Sequence, residues 1–173
     1  ECYVTGNGGG AAGTDDIDNG YTTLTSPVLD LSSYISPAIK YQRWFANTGG
    51  SGNPNDSLKV ILSNGTISKV VEVVTAASAN NNSWVEKQIL VADYFPNIVN
   101  RSHMQLSFLT GDDAIGHIVE AGVDKVYIIE TAKVGMQVNG ANVSTMSIYP
   151  NPINSNSQIQ YQLNQNLENL LLV

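Results

Sequence analysis

The sequence predicts an all-β chain organised as a two-sheet sandwich, and three observations carry that reading. Short stretches rich in Val, Ile, Thr, Tyr and Leu recur between clusters of turn residues. No window of about eleven or more residues places apolar side chains at helical spacing between caps. Hydrophobic residues make up 42% of the 173 positions and charged residues only 13%, so the polar surface rests on Asn, Ser, Thr, Gln and Gly rather than on ion pairs.

Taken in order, residues 2–5 open the chain on a short apolar stretch, and the glycine-rich segment 6–13 that follows is a loop. Residues 21–24 and 28–31 are the next strands. Residues 38–46 carry apolar groups on both alternating sets, Ile39, Tyr41, Arg43 and Phe45 against Lys40, Gln42, Trp44 and Ala46, as a central strand covered on each side does. Residues 57–63 alternate cleanly, which assigns Leu58, Val60 and Leu62 to the core. Strands at 68–74, 84–91, 103–110 and 123–130 bring the total to nine, with loops at 49–55 and 80–83 and a helical turn at 91–94 ahead of Pro96. Trp44 and Trp84, each within a strand, read as core plugs rather than as ligand-stacking platforms.

After Thr131 the composition turns small and polar. The boundary is placed there, giving a first domain at 1–131, a connection at 132–145 and a second unit at 146–173. Residues 146–152, MSIYPNP, resume a strand, and 158–163 alternate again with Ile159, Tyr161 and Leu163 on one face. So few strands cannot bury a core, so the second unit is incomplete. Glu1 is not a secretory start and the chain stops within the apolar LLLV, so it reads as part of a longer protein. Strands at 157–163 and 169–173 then lack partners, which predicts strand exchange or edge pairing between copies, or docking of this tail onto the sandwich.

Eight Lys plus Arg against fifteen Asp plus Glu give a net charge of −7, which leaves no basic stripe for phosphates and argues against nucleic acid or anionic membranes as partners. The longest apolar runs, 70–74 and 170–173, fall far short of the roughly 20 residues that span a bilayer. A single cysteine, Cys2, makes no internal disulfide, and two histidines restrict zinc and triad chemistry. No Ser or Thr sits in a nucleophile elbow, and the glycine run lacks the Gly-Lys ending of a phosphate loop.

The acidic residues are the informative polar set. Asp15, Asp16 and Asp18 crowd one glycine-bounded loop, GTDDIDNG, where they either are simply solvated or share a hard cation such as calcium, which takes six to eight oxygens at flexible angles. The spacing is not that of an EF-hand. Glu120 and Asp124 lie an even number of positions apart, so an extended chain turns both to one side. Were that side to meet the loop, the five carboxylates would close one site. Asp112 and Asp113 read as a loop tip. His117 and Glu120 invite a zinc hydrolase reading, but positions three apart on a strand face opposite ways and too few ligands remain, so that reading is set aside.

Residues 14–32, TDDIDNGYTTLTSPVLDLS, together with NDSLKVILSN at 55–64, Trp84 and IVEAGVDKVYI at 118–128, resemble the jelly-roll accessory domains of secreted Bacteroidetes proteins. These are similar to MAM and cleaved-adhesin domains and often follow a peptidase, commonly a zinc carboxypeptidase. The resemblance covers nearly all of 1–131. It implies a jelly roll with structural calcium held by Asp16, Asp18, Glu120 and Asp124, with Asp15 beside them. Lys125 stands where such domains commonly carry a second acidic residue. Residues 146–163, with the Tyr-Pro-Asn-Pro string at 149–152, resemble the start of the Ig-like C-terminal sorting domain read by the type IX secretion system, here truncated.

The expected function is therefore a non-catalytic, calcium-stabilised accessory or adhesion domain of a secreted or surface-attached protein. Its expected partners are an upstream catalytic domain of the same chain and the type IX machinery. A carbohydrate-binding module is the alternative, with Tyr34, Tyr41, Trp44 and Tyr94 as candidate aromatics for a glycan face.

Overall fold

The computed structural model describes residues 2–6, 8–10, 13–50, 53–112, 116–131, 143–149 and 155–163. The chain divides into two compact units, Glu1–Ala132 and Lys133–Val173. The first contains β1 (Tyr3–Val4), β2 (Gly20–Thr25), β3 (Pro37–Thr48), β4 (Ser57–Ser63), β5 (Ser68–Thr75), β6 (Val85–Leu90), β7 (Gln105–Asp112) and β8 (Ile118–Glu130). Two short helical pieces, α1 (Val91–Tyr94) and a 3₁₀ turn at Ile98–Arg101, join β6 to β7. No helix among the described residues is long and apolar enough to cross a membrane.

These strands form two antiparallel four-stranded sheets, ordered β1-β8-β3-β6 and β2-β7-β4-β5. The order is nested: β1 with β8, β2 with β7, β3 with β6 and β4 with β5. An antiparallel ribbon folded over on itself produces this arrangement, and it is the strand order of a jelly roll. The fold is the two-sheet β-sandwich that the alternation predicts. Eight strands build it rather than nine, because residues 28–31 contribute only a bridge between Leu29 and Met104. The last strand starts at Ile118, five residues before the predicted start, with Val119, Ala121 and Val123 as its core-facing set.

Core-facing positions follow strand parity. Ile39, Tyr41 and Phe45 of β3 and Val119, Ala121 and Val123 of β8 pack against Leu58, Val60 and Leu62 of β4, Leu106 and Phe108 of β7, and Val74 of β5. The rings of Tyr41 and Phe108 meet edge to face at 5.2 Å between centroids. One end of the core is closed by Leu31, Val91, Phe95 and Met104. There the buried guanidinium of Arg101 donates to the carbonyls of Phe95 and Pro96, satisfying the backbone that follows α1.

Two irregularities redirect side chains. Between Val60 and Ile61 of β4 the register with β5 shifts, leaving Val71 as an extra residue. Glu72 thereby shares the inward parity of Val74 and meets β3 across the sandwich, where its carboxylate accepts from the Tyr41 hydroxyl at 2.6 Å and from Arg43 at 3.0 and 3.2 Å. Lys87 lies 3.4 Å from the same carboxylate. A second shift falls where Tyr41 of β3 opposes both Lys125 and Val126, and Lys125 takes a left-handed φ of 50°.

The two tryptophans depart from expectation. Trp44 has the outward parity of β3, and Trp84, just before β6, is 46% exposed; neither belongs to the core. Arg43 and Phe45 already fill the inner slots on either side of Trp44. Gly122 explains where Trp84 goes, since a Cβ there would come within 2.9 Å of the indole ring, so this glycine gives the ring a place to lie.

In the second unit β9 (Val143–Tyr149) pairs antiparallel with β10 (Gln158–Leu163), with a register shift at Gln162 and Leu163. The strand thus begins three residues before the expected 146. The prolines at 150 and 152 and the expected strand at 169–173 lie outside the described residues.

Candidate functional site

At the end of the sandwich opposite Arg101 the core-facing parity continues, but the side chains change character. Asn47 follows Tyr41, Arg43 and Phe45 on β3; Asp56 precedes Leu58 on β4; Thr110 and Asp112 follow Leu106 and Phe108 on β7; His117 precedes Val119 on β8. All five are buried, with Asp56 at 6% exposure and Asp112 and His117 at 3%. Four strands therefore aim polar side chains at one place where the pattern elsewhere calls for Leu, Val or Phe.

The contacts knit this group together. His117 Nδ1 lies 3.1 Å from Asp56 Oδ2, the Asn47 amide donates to the same oxygen at 3.3 Å, and the His117 backbone N–H donates to Asp112 Oδ2 at 3.3 Å. One ligand atom from each of Asp56, Asp112 and His117 lies within 4.8 Å of the other two. A residue of polar capacity remains: Asn47 Oδ1, Thr110 Oγ1, Asp112 Oδ1 and His117 Nε2 are buried without a hydrogen-bond partner among the described residues. Each such atom costs about 1–3 kcal/mol if left unsatisfied, and native proteins keep few of them. All four lie at inward-facing positions at this end of the sandwich.

The sequence-predicted acidic residues lie elsewhere. Asp15 is half-buried and its carboxylate accepts the Gly8 N–H. Asp16 is half-buried with Oδ1 sealed and without a hydrogen-bond partner among the described residues, and Asp18 is exposed. Their loop is tied to the start of β8 by the Ile17 N–H, which donates to the Val119 carbonyl. Glu120 and Asp124 share the outward parity of β8, opposite Ala46 and Gln42 of β3, and Asp124 accepts from the Lys125 N–H at 2.7 Å. Among the described residues, the three-residue ligand cluster is Asp56, Asp112 and His117, and none of these five carboxylates joins it. Of the five, Asp16 is the one whose sealed, unpartnered oxygen fits a cation ligand.

Asp112 was expected at a loop tip and instead ends β7 facing the core; Asp113 lies outside the described residues. His117 and Glu120 fall on opposite faces of β8, as three-residue spacing on a strand requires. The overlooked signal is parity: Asp56, Asp112 and His117 each continue the inward-facing set of their own strand, where an unpaired charge is costly.

A scan against protein-family models finds no match to the chain, and a search of curated proteins finds no similar sequence.

Proposed function

We propose that residues 1–131 are a non-catalytic accessory or adhesion domain of a secreted or surface-attached bacterial protein, stabilised by bound calcium. Residues 146–173 are then the start of a type IX sorting domain, and the upstream part of the same chain carries the catalytic activity, a zinc carboxypeptidase being the leading choice. One observation carries this reading most directly: among the described residues, the grouping of three metal-ligating side chains, Asp56, Asp112 and His117, is buried. Groups so placed hold strands together and do not meet a macromolecular substrate. The jelly-roll strand order supports the same reading, because it matches the architecture the sequence resembles. Calcium at the loop of Asp15, Asp16 and Asp18, with Glu120 and Asp124, is supported by the sealed oxygen of Asp16.

The test is a thermal melt of the full chain in EDTA, then with calcium restored. Calcium at a hundred times its dissociation constant adds roughly 2.7 kcal/mol. A clear rise in melting temperature that Asp16→Asn abolishes is the expected outcome, and an unchanged melt removes calcium from the proposal.

Carbohydrate binding is the second reading, favoured by aromatics on the outer face of the β1-β8-β3-β6 sheet. Trp84 and Tyr127 are exposed there, Trp44 has the same outward parity, and Lys40 sits 5.8 Å from the Tyr127 ring. Tyr41 is buried, while Tyr34 and Tyr94 pack partly against the core, so these three do not form the glycan face. Retardation on polysaccharide gels that Trp84→Ala reverses would favour this reading; unretarded migration would count against it.

A further inference from the structure

We propose that Asp56, Asp112 and His117 form a binding site for one divalent transition ion of the zinc and manganese class, joining four strands at the end of the sandwich. This site is separate from the calcium loop and does not depend on the accessory-domain reading.

The donor set comes first. Two carboxylates and an imidazole, all buried and with ligand atoms within 4.8 Å of one another, are a characteristic grouping for zinc or manganese. Calcium, a hard ion, draws its six to eight ligands from oxygen alone and makes poor use of an imidazole nitrogen. Asn47, whose amide reaches Asp56 Oδ2, carries a neutral oxygen, Oδ1, that has no hydrogen-bond partner among the described residues and is a candidate fourth ligand.

The hydrogen bonds come second. Asp56 Oδ2 and His117 Nδ1 lie 3.1 Å apart, a separation that two donors of one ion also take, so both can face the same cation. Asp112 Oδ1 is buried without a hydrogen-bond partner among the described residues, while Asp112 Oδ2 is held by the His117 backbone N–H. A bound ion satisfies Asp112 Oδ1 and compensates two carboxylates buried at one end of the core.

Topology comes third. Asn47, Asp56, Asp112 and His117 lie at strand ends of β3, β4, β7 and β8, two from each sheet. An ion held by both sheets would pin the open end of the sandwich as the packing around Arg101 closes the other. A surface hollow of about 200 Å³, bordered by Tyr21, Asn55, Asp56, Lys59 and Thr110, offers a route for exchange with solvent.

The experiment uses the full chain stripped with a strong chelator and dialysed against zinc, manganese or calcium, read by elemental analysis and thermal melting. The expected result is one zinc or manganese ion per chain and a melting temperature raised by roughly 5–10 °C at saturation. His117→Gln and Asp112→Asn should lose the ion and the rise, whereas Asp16→Asn should keep both. Cobalt substitution of the unmutated chain is an independent readout, since its visible absorption reports nitrogen and oxygen ligation without relying on a variant's folding. A response to calcium alone, or retention of zinc by both variants, would overturn the assignment. So would the absence of bound ion, with the vacant atoms then satisfied by buried water. Loss of the calcium response with the zinc response intact would remove the calcium loop and leave this site standing.

Discussion

Replacing Glu72 by alanine is expected to lower the stability of the first unit by about 3–5 kcal/mol, measured by urea or thermal unfolding. Arg43 is buried at 3% side-chain exposure, and Glu72, itself only 13% exposed, is the carboxylate that meets it. Removing that carboxylate strands a guanidinium inside the sandwich and also deprives the buried Tyr41 hydroxyl of its acceptor. The double replacement Arg43→Leu with Glu72→Leu should cost much less, because an apolar pair needs no compensation at that depth. Equal losses in the single and double variants would show that packing, not the ion pair, is what matters there.

The same cluster gives a prediction about pH. Burial, and after it the hydrogen bond to Glu72, pushes the Tyr41 phenol far above its ordinary value of 10.0. A group raised in the folded state contributes stability that is fully present below its unfolded pKa and is lost as pH climbs towards the folded one. The chain should therefore lose stability above about pH 10. Tyr41→Phe should lack that part of the decline while keeping the rest of the alkaline profile.

The second large effect is expected at Phe45, which is fully buried in the middle of β3. Phe45→Ala should cost about 3–5 kcal/mol through lost burial and an incompletely collapsed cavity. Trp44 is the informative control. It is the larger side chain, yet its outward parity means Trp44→Ala should cost clearly less. Equal losses at the two positions would contradict the assignment of faces, and the comparison needs only two melts.

Much of the sandwich was legible in the sequence because a strand writes its face into alternate positions. Leu58, Val60 and Leu62 alternate with Lys59, Ile61 and Ser63, and all three are buried as that pattern requires. The turn at 91–94 and the strand at 57–63 fall where they were expected. Trp44 and Trp84 were less legible, because a large aromatic in a strand suits either face and only the neighbours decide. Gly122 on a different strand is the neighbour that decides for Trp84.

The site was less legible than the fold, for a related reason. Asp15, Asp16 and Asp18 drew attention because they crowd one stretch of chain, whereas the ligand cluster joins Asp56, Asp112 and His117 from separate strands. The hydrogen bond between His117 and Asp56 spans 61 positions. Nothing in local spacing announces such a pairing, although the inward parity of each residue was there to be read.

By itself the sequence determined that the chain is all-β, which residues form most of the strands, and which face of each clean strand is apolar. These follow from local periodicity and turn chemistry, which act over a few residues. Tertiary structure alone decided the nested strand order, the inward turn of Glu72 at the Val71 bulge, and the meeting of two aspartates and a histidine at one end of the core. Those depend on which strands become neighbours, and antiparallel pairing across the whole length of the chain brings together side chains that no local window contains.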